Sequence, residues 1–256
     1  MSTNTPAISV QLYSLREACA TDFDGVLTRL AEIGFKGVEP FHLFDKTPQD
    51  FSAQVTALGM QVSSTHTPWV NRTDDLQEVI DTVQALGLTR AAGGFMPEDF
   101  ADRETLQRTI EQTAAYVEAL RPHGLTLFLH NHFWEFDDID GRPAYHYLQD
   151  AVADVEFELD TYWAANFGHN DPVAELTRVR QRTPLIHVKD GPLIKGQANV
   201  AVGQGQMDIP ALFAAADPTV LSWAVVELDA CDTDMMTAVA DSYRYLTSHQ
   251  LAQGNV

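Results

Sequence analysis

The chain has 256 residues, 45% of them apolar, and a formal net charge of −20 from 36 acidic residues against 16 Lys and Arg. That length and apolar content suit one domain with a large core and exclude a disordered chain, and no apolar run approaches the length of a membrane span. An acidic surface repels phosphate backbones at long range, so no nucleic-acid partner is expected.

Residues 1–7 lack the basic start and apolar core of a signal peptide, so the expected location is the cytoplasm, with no membrane partner. The two cysteines, Cys19 and Cys231, lie far apart and read as reduced thiols rather than a disulfide framework. Most of the acidic excess reads as solvated helix faces, such as Asp74, Asp75, Glu78 and Asp81.

In chain order, a first β-rich run covers 8–14 and ends Gln11-Leu12-Tyr13-Ser14. A helix over 23–33 follows, with Phe23, Val26, Leu27, Leu30 and Ile33 at helical spacing and Gly34 as its stop. The second run, 37–40, ends Val38-Glu39-Pro40. After Leu58-Gly59 a third run, 61–67, ends Thr65-His66-Thr67, with Trp69 just beyond. A helix over 76–86 places Leu76, Val79, Ile80, Val83 and Leu86 on one face and stops at Gly87, ahead of a fourth run at 90–95. The long helix 103–120 and His123-Gly124 lead to the fifth run, 125–132, which closes on His130-Asn131-His132 with Glu135 shortly after. The sixth, 157–163, contains Glu158-Leu159-Asp160; the seventh, 185–190, contains His187-Val188-Lys189-Asp190; the eighth, 223–229, contains Val226-Glu227-Leu228-Asp229. A helix over 233–246 ends the pattern.

Eight β-runs alternating with helices imply an α/β fold of parallel strands with right-handed crossovers. In this length they imply a (β/α)8 TIM barrel, one domain over 1–256. An open dinucleotide-binding sheet would need a glycine-rich loop after its first strand, where this chain has Tyr13-Ser14-Leu15-Arg16.

Barrel chemistry collects at the C-terminal ends of the strands. Histidines and carboxylates end five or six of these runs, which points to one metal or acid–base site. Side chains two apart share a strand face, so His130 pairs with His132, Glu158 with Asp160, His187 with Lys189, and Glu227 with Asp229. With Asp160, His187 and Glu227 inward, three ligands come from the last three strands. Carboxylates plus one imidazole suit one divalent metal (Mn²⁺, Mg²⁺, Co²⁺ or Zn²⁺). Two distant cysteines exclude a thiolate zinc site.

The segments His130-Asn131-His132-Phe133-Trp134-Glu135-Phe136, Leu159-Asp160-Thr161-Tyr162-Trp163, His187-Val188-Lys189-Asp190 and Val202-Gly203-Gln204-Gly205, in this order, resemble the sugar phosphate isomerase/epimerase family, the xylose isomerase-like TIM barrels. The likeness runs from Val10 to Glu227 and takes in a subgroup-like His-Asn-His-x-x-Glu-Phe pattern. It implies a metal held by a Glu, an Asp, a His and a second Glu. Asp160, His187 and Glu227 match three of these. Where the epimerases end the fifth strand in Glu, this chain has His130, so Glu135 is assigned as the fourth ligand, with His130 and His132 as competing choices. Where ketose epimerases place a substrate-contacting His, this chain has Trp163, which either stacks on a sugar ring or walls the pocket.

The resemblance implies proton abstraction next to a carbonyl through a metal-stabilised enediolate, on a small sugar or keto-sugar. Glu135, Glu227 and His132 are the expected catalytic residues. His66, Lys189, Trp163 and Glu39 are the expected substrate contacts. Lys189 also reads as an ion-pair partner of Glu158, and His66 as a hydrogen-bonded wall residue. The same site serves a lyase or dehydratase acting on an inosose or 3-keto-glycoside. A non-catalytic sugar-binding barrel and an abasic-site endonuclease are more distant readings, and a homo-oligomer is compatible with the exposed helix faces. Gly203-Gln204-Gly205 is too short for a phosphate loop and reads as a tight turn near the site mouth.

Overall fold

Eight short apolar runs come together as one parallel sheet in the computed structural model, which describes residues 5–255; residues 1–4 of the stretch read for a leader lie outside it. The strands are β1 (Ala7–Gln11), β2 (Gly37–Glu39), β3 (Gln61–Val62), β4 (Arg90–Gly93), β5 (Thr126–His130), a small antiparallel hairpin of β6 (Asp138–Ile139) and β7 (Arg142–Pro143), then β8 (Glu156–Asp160), β9 (Leu185–Val188) and β10 (Trp223–Val226). The sheet order is β3-β2-β1-β10-β9-β8-β5-β4. First and last strands pair, with Ala7 opposite Trp223, and so curl the sheet into the TIM-barrel fold. The ladder lapses between β3 and β4, where the loop after β3 takes over: the Val70 N–H donates to the Ala92 carbonyl at 2.9 Å.

Among the described residues nine α-helices follow the strands: α1 (Arg16–Ile33), α2 (Pro48–Ala57), α3 (Leu76–Ala85), α4 (Arg103–Leu120), α5 (Ala144–Ala151), α6 (Thr161–Ala164), α7 (Pro172–Val179), α8 (Ile209–Ala215) and α9 (Met235–Ser248). Helix α4 keeps its predicted bounds because its ends are written into the chain. Asp102 accepts from the Thr105 N–H at 2.8 Å while the Asp102 N–H donates back to Thr105 Oγ1 at 3.0 Å. Gly34, Gly59, Gly87 and Gly124, predicted as helix stops, all have positive φ. Helices α2, α5, α7 and α8 are too short to show a full hydrophobic period. Thr47-Pro48, Asp171-Pro172 and Asp208-Ile209-Pro210, a capping side chain followed by proline in the first turn, were the signals for three of them.

Every strand stops short of the C-terminal end of its predicted run. The chain leaves the ladder where polar side chains begin, and these make local bonds instead. Residues 12–15 turn into a 3-10 helix. Of the third run, 61–67, only Gln61 and Val62 pair as strand; Thr65 Oγ1 beyond them binds the Thr67 backbone on both sides. The strands are apolar on both faces, as in Leu127, Phe128 and Leu129 of β5, and the helices cover them.

One close approach shapes the mouth of the barrel. Gly94, just past β4, backs onto the Trp69 indole, and a Cβ there would lie 2.0 Å from Trp69 Cζ3. Gly94→Ala should therefore destabilise the protein by about 1–3 kcal/mol and change the Trp fluorescence, because the methyl forces the indole from its slot. An unchanged urea midpoint and emission spectrum would show that the slot is not tight.

Candidate active site

Register decides which side chains meet. β8 pairs with β9 so that Glu158 lies opposite Leu185 and Asp160 opposite His187, and β9 pairs with β10 so that His187 lies opposite Val225. The inward side chains of β8 and β9 therefore stack at two depths. Glu158 lies deeper; Asp160 lies nearer the open end, and Lys189 two residues beyond His187.

The lower tier is a buried network around His187. Its Nε2 lies 2.8 Å from Glu39 Oε1 and 3.2 Å from Glu158 Oε2. Glu39 also accepts from Gln11 Nε2 at 2.6 Å and from the Ser64 hydroxyl. His66 Nε2 meets Glu158 Oε2 at 2.5 Å and stacks on the His187 ring with centroids 5.5 Å apart. Two carboxylates on the Nε2 side make that nitrogen the one that carries the proton, which turns Nδ1 toward the upper tier. Burial alone would lower the pKa of His187, but Glu158, Glu227 and Glu39 outweigh it and hold it well above the usual value.

The upper tier gathers carboxylates around one ammonium. Lys189 Nζ lies 2.9 Å from Asp160 Oδ2, 2.8 Å from Glu227 Oε2 and 2.8 Å from Asp229 Oδ2. Burial opposes its charge, yet these three carboxylates raise its pKa well above the usual lysine value. Burial likewise pushes Glu227 upward, but Lys189 and then His187 hold it ionised, well below the usual carboxylate range. The Lys189–Glu158 ion pair raised as an alternative does not form, because the register lifts Lys189 to the level above Glu158.

Asp160, His187 and Glu227 come together as the sequence predicts, and the fourth member of their group is His130. Each of the four offers a donor atom, these atoms all lie within 4.8 Å of one another, and all four residues are buried. Glu135 is not brought into that group. It sits on the turn after β5, where its Oε2 accepts from the His132 N–H at 2.9 Å and its Oε1 faces His132 Nδ1 at 3.7 Å. Burial raises its pKa. Its side chain folds back on its own strand end instead of reaching across the barrel.

The donor set fits a divalent cation. His130 Nδ1 and Asp160 Oδ2 are buried with no hydrogen-bond partner; the Lys189 contact to Asp160 is a charge contact without hydrogen-bond geometry. Burial, and then the neighbouring His187, push the pKa of His130 well down, so its imidazole is neutral with a lone pair to offer. Asp160 uses its other oxygen to accept from the Trp163 N–H at 2.9 Å, which fixes the carboxylate. A second grouping, His66, His130, Glu158 and His187, also meets ligand spacing but shares His130 and His187 with the first.

Above the tiers opens a cavity of about 440 Å³, lined among others by His66, His132, Trp163, Lys189 and Glu227. Of the expected substrate contacts, His66, Lys189 and Trp163 reach it. Glu39 does not: it is wholly buried beneath His187. The Trp163 ring has Lys189 Nζ 5.2 Å from its centroid and packs against Phe133 and Phe167. His132 stacks on Trp134 with centroids 4.1 Å apart.

Gly203-Gln204-Gly205 is a turn wrapped on a carboxylate. Asp190 accepts from the N–H groups of Gly191, Gly203, Gly205 and Met207 at 2.8–3.1 Å, and a Cβ on Gly205 would lie 2.1 Å from Asp190 Oδ1. Sequence reading singled out the glycines without the aspartate that requires them; Asp190 after His187-Val188-Lys189 was the available signal.

The family profile described as xylose isomerase-like TIM barrel matches residues 27–249. Among solved structures, the chain is similar to a sugar phosphate isomerase/epimerase from Parabacteroides distasonis, with 22% identity, TM-score 0.79, and 100% of this chain and 97% of that one covered. It is similar to a D-allulose 3-epimerase from Methylomonas sp., with 14% identity, TM-score 0.69 and 96% and 98% covered. It is also similar to a probable 3-DHS dehydratase from Bacillus anthracis, with 12% identity, TM-score 0.70 and 94% and 98% covered. At these identities the likeness speaks for the fold. No curated protein matches the chain, and no helix among the described residues is long and apolar enough to cross a membrane.

Removing the ammonium tests the upper tier. Lys189→Met should cost about 3–5 kcal/mol in urea unfolding, because Asp160, Glu227 and Asp229 are left to repel one another in a buried site. A loss below about 1 kcal/mol, the range of an exposed pair, would mean the carboxylates are neutralised some other way.

Proposed function

The chain belongs to the xylose isomerase-like TIM barrel family, and from that premise we propose that it is a divalent-metal-dependent isomerase or epimerase acting on a small sugar or keto-sugar. The observation that carries this reading is the buried donor group His130, Asp160, His187 and Glu227, with two orphaned donor atoms, at the floor of an aromatic-walled cavity. A divalent cation held there (Mn²⁺, Mg²⁺, Co²⁺ or Zn²⁺) supplies Lewis-acid polarisation of a substrate carbonyl.

The protein's own groups then move the proton. Glu227, kept ionised by Lys189 and His187, accepts the proton from the carbon next to the carbonyl. His132, which lines the cavity and is held through Glu135, is the second acid–base group. Return of the proton to the opposite face gives an epimer, and return at the neighbouring carbon gives an isomer. Lys189 donates to the oxygen that gains charge, and Trp163 offers a face to the sugar ring. Glu39 and Glu158 touch no substrate; they hold the His187 tautomer.

A lyase is the second reading, favoured by Trp163. An aromatic wall at that position, with Phe133 and Phe167 behind it, has room for the leaving portion of a 3-keto-glycoside or for an inosose ring. Proton loss beside the carbonyl is common to both readings, and departure of a β-hydroxyl or β-alkoxyl group distinguishes them.

Deuterium uptake from D₂O, followed by NMR across ketoses, inososes and 3-keto-glycosides, tests the shared step. Exchange should appear with added Mn²⁺ or Mg²⁺ and fall at least about 10²-fold in Glu227→Gln. Glu227→Gln and Asp160→Asn should each also lose metal while remaining folded. Full metal occupancy in both variants would sink the donor assignment, and no exchange with any compound would sink enolisation.

A further inference from the structure

Resting on that reading of the cavity, we infer that Arg72 is a specificity residue, and that the substrate carries an anionic group, a carboxylate or a phosphate, at the end remote from its reacting carbonyl.

The loop that carries Arg72 is built rather than slack. Asn71 clamps the end of β4 with its side-chain amide: Nδ2 donates to the Gly94 carbonyl at 2.8 Å, and the Gly94 N–H donates to Oδ1 at 3.3 Å. Trp69 fills the slot that Gly94 leaves open. The Arg72 N–H donates to the Trp69 carbonyl at 3.0 Å, and the guanidinium lies 3.9 Å from the centroid of that same indole. Stacking of this kind fixes the plane of an arginine and leaves its edge donors directed outward. The other edge of the platform faces the chemistry: the Trp69 ring packs edge-on against His66 at 5.3 Å and His130 at 6.4 Å. Arg72 thus stands one indole away from the donor group, on the wall of the same cavity.

What marks Arg72 is how little its guanidinium has to bind. In a chain with 36 acidic residues, no carboxylate among the described residues lies within ion-pair distance of it, and its one side-chain hydrogen bond is to Met96 Sδ at 3.3 Å. Asp99, the carboxylate whose field reaches it, is engaged by the Met96 N–H at 2.8 Å. The other cation of the cavity wall, Lys189, is held by three carboxylates. A planar guanidinium with open donors matches the two oxygens of a carboxylate or phosphate. The strongly acidic surface makes such a contact necessary, because an anionic substrate is repelled at long range and has to be selected by a local cation.

The test uses three compounds with one carbon skeleton: D-fructose, D-fructuronate and D-fructose 6-phosphate. Calorimetric titration of the metal-loaded protein should show one of the two anions binding at least about tenfold more tightly than D-fructose, the range of a charge-assisted contact. Arg72→Gln should bring that ratio close to one, with Arg72→Lys in between, while circular dichroism shows both variants folded. Which anion is preferred identifies the group as carboxylate or phosphate. An absence of preference in the unaltered protein, or the same ratio in Arg72→Gln, overturns the inference. Preference without deuterium exchange on any of the three would leave the anchor standing and count against the proton-transfer reading instead.

Discussion

Buried negative charge is the constraint on which the rest of this site depends. Glu39, Glu158, Asp160 and Glu227 are all withdrawn from water near the top of one barrel, and ionised carboxylates cannot stay there without cations beside them. The chain supplies Lys189 in the upper tier and imidazoles in the lower one. His187 couples the two, with Nε2 on Glu39 and Nδ1 on Glu227 at 2.7 Å. A contact that short between Nδ1 and a carboxylate needs a cation between or on the pair. That role passes from a proton to a metal without moving either side chain.

The division into tiers also separates two tasks. The lower tier never meets substrate, and its carboxylates decide which nitrogen of His187 faces upward. The upper tier meets substrate, and its ammonium keeps Glu227 ionised and able to accept a proton. A change in the lower tier therefore acts through the imidazole, whereas a change in the upper tier acts on the reacting groups directly.

The upper tier was legible in the sequence because strand alternation is a strict rule. Asp160, His187 and Glu227 share an inward face once their strands are recognised, and β8, β9 and β10 were recognised by their apolar runs. Depth was not legible. Alternation puts Glu158 and Asp160 on one face, but only the inter-strand register shows that Lys189 reaches Asp160 and not Glu158. Glu135 failed as a ligand for a related reason. It lies beyond the last paired residue of β5, where a turn and not the pleat sets direction, and sequence spacing says nothing about a 3-10 turn folding back onto His132. The Arg72 platform was invisible because it needs Asn71, Gly94 and Trp69 together, and they come from two loops joined only in space.

The contrast between strands and loops bears on what this site selects. The donor group and its acid–base neighbours sit on or just past paired strands, so their geometry is set by the sheet, and it supports epimerisation, isomerisation and elimination alike. Choice among substrates has to come from what stands on the loops: Trp163 and Phe133 on one side of the cavity, Trp69 and Arg72 on another. These are aromatic faces and one open guanidinium, groups that bind a sugar-sized skeleton and the charge it carries while leaving the reacting carbon to the floor beneath. The floor fixes the kind of bond that can be broken. The walls decide whose bond it is.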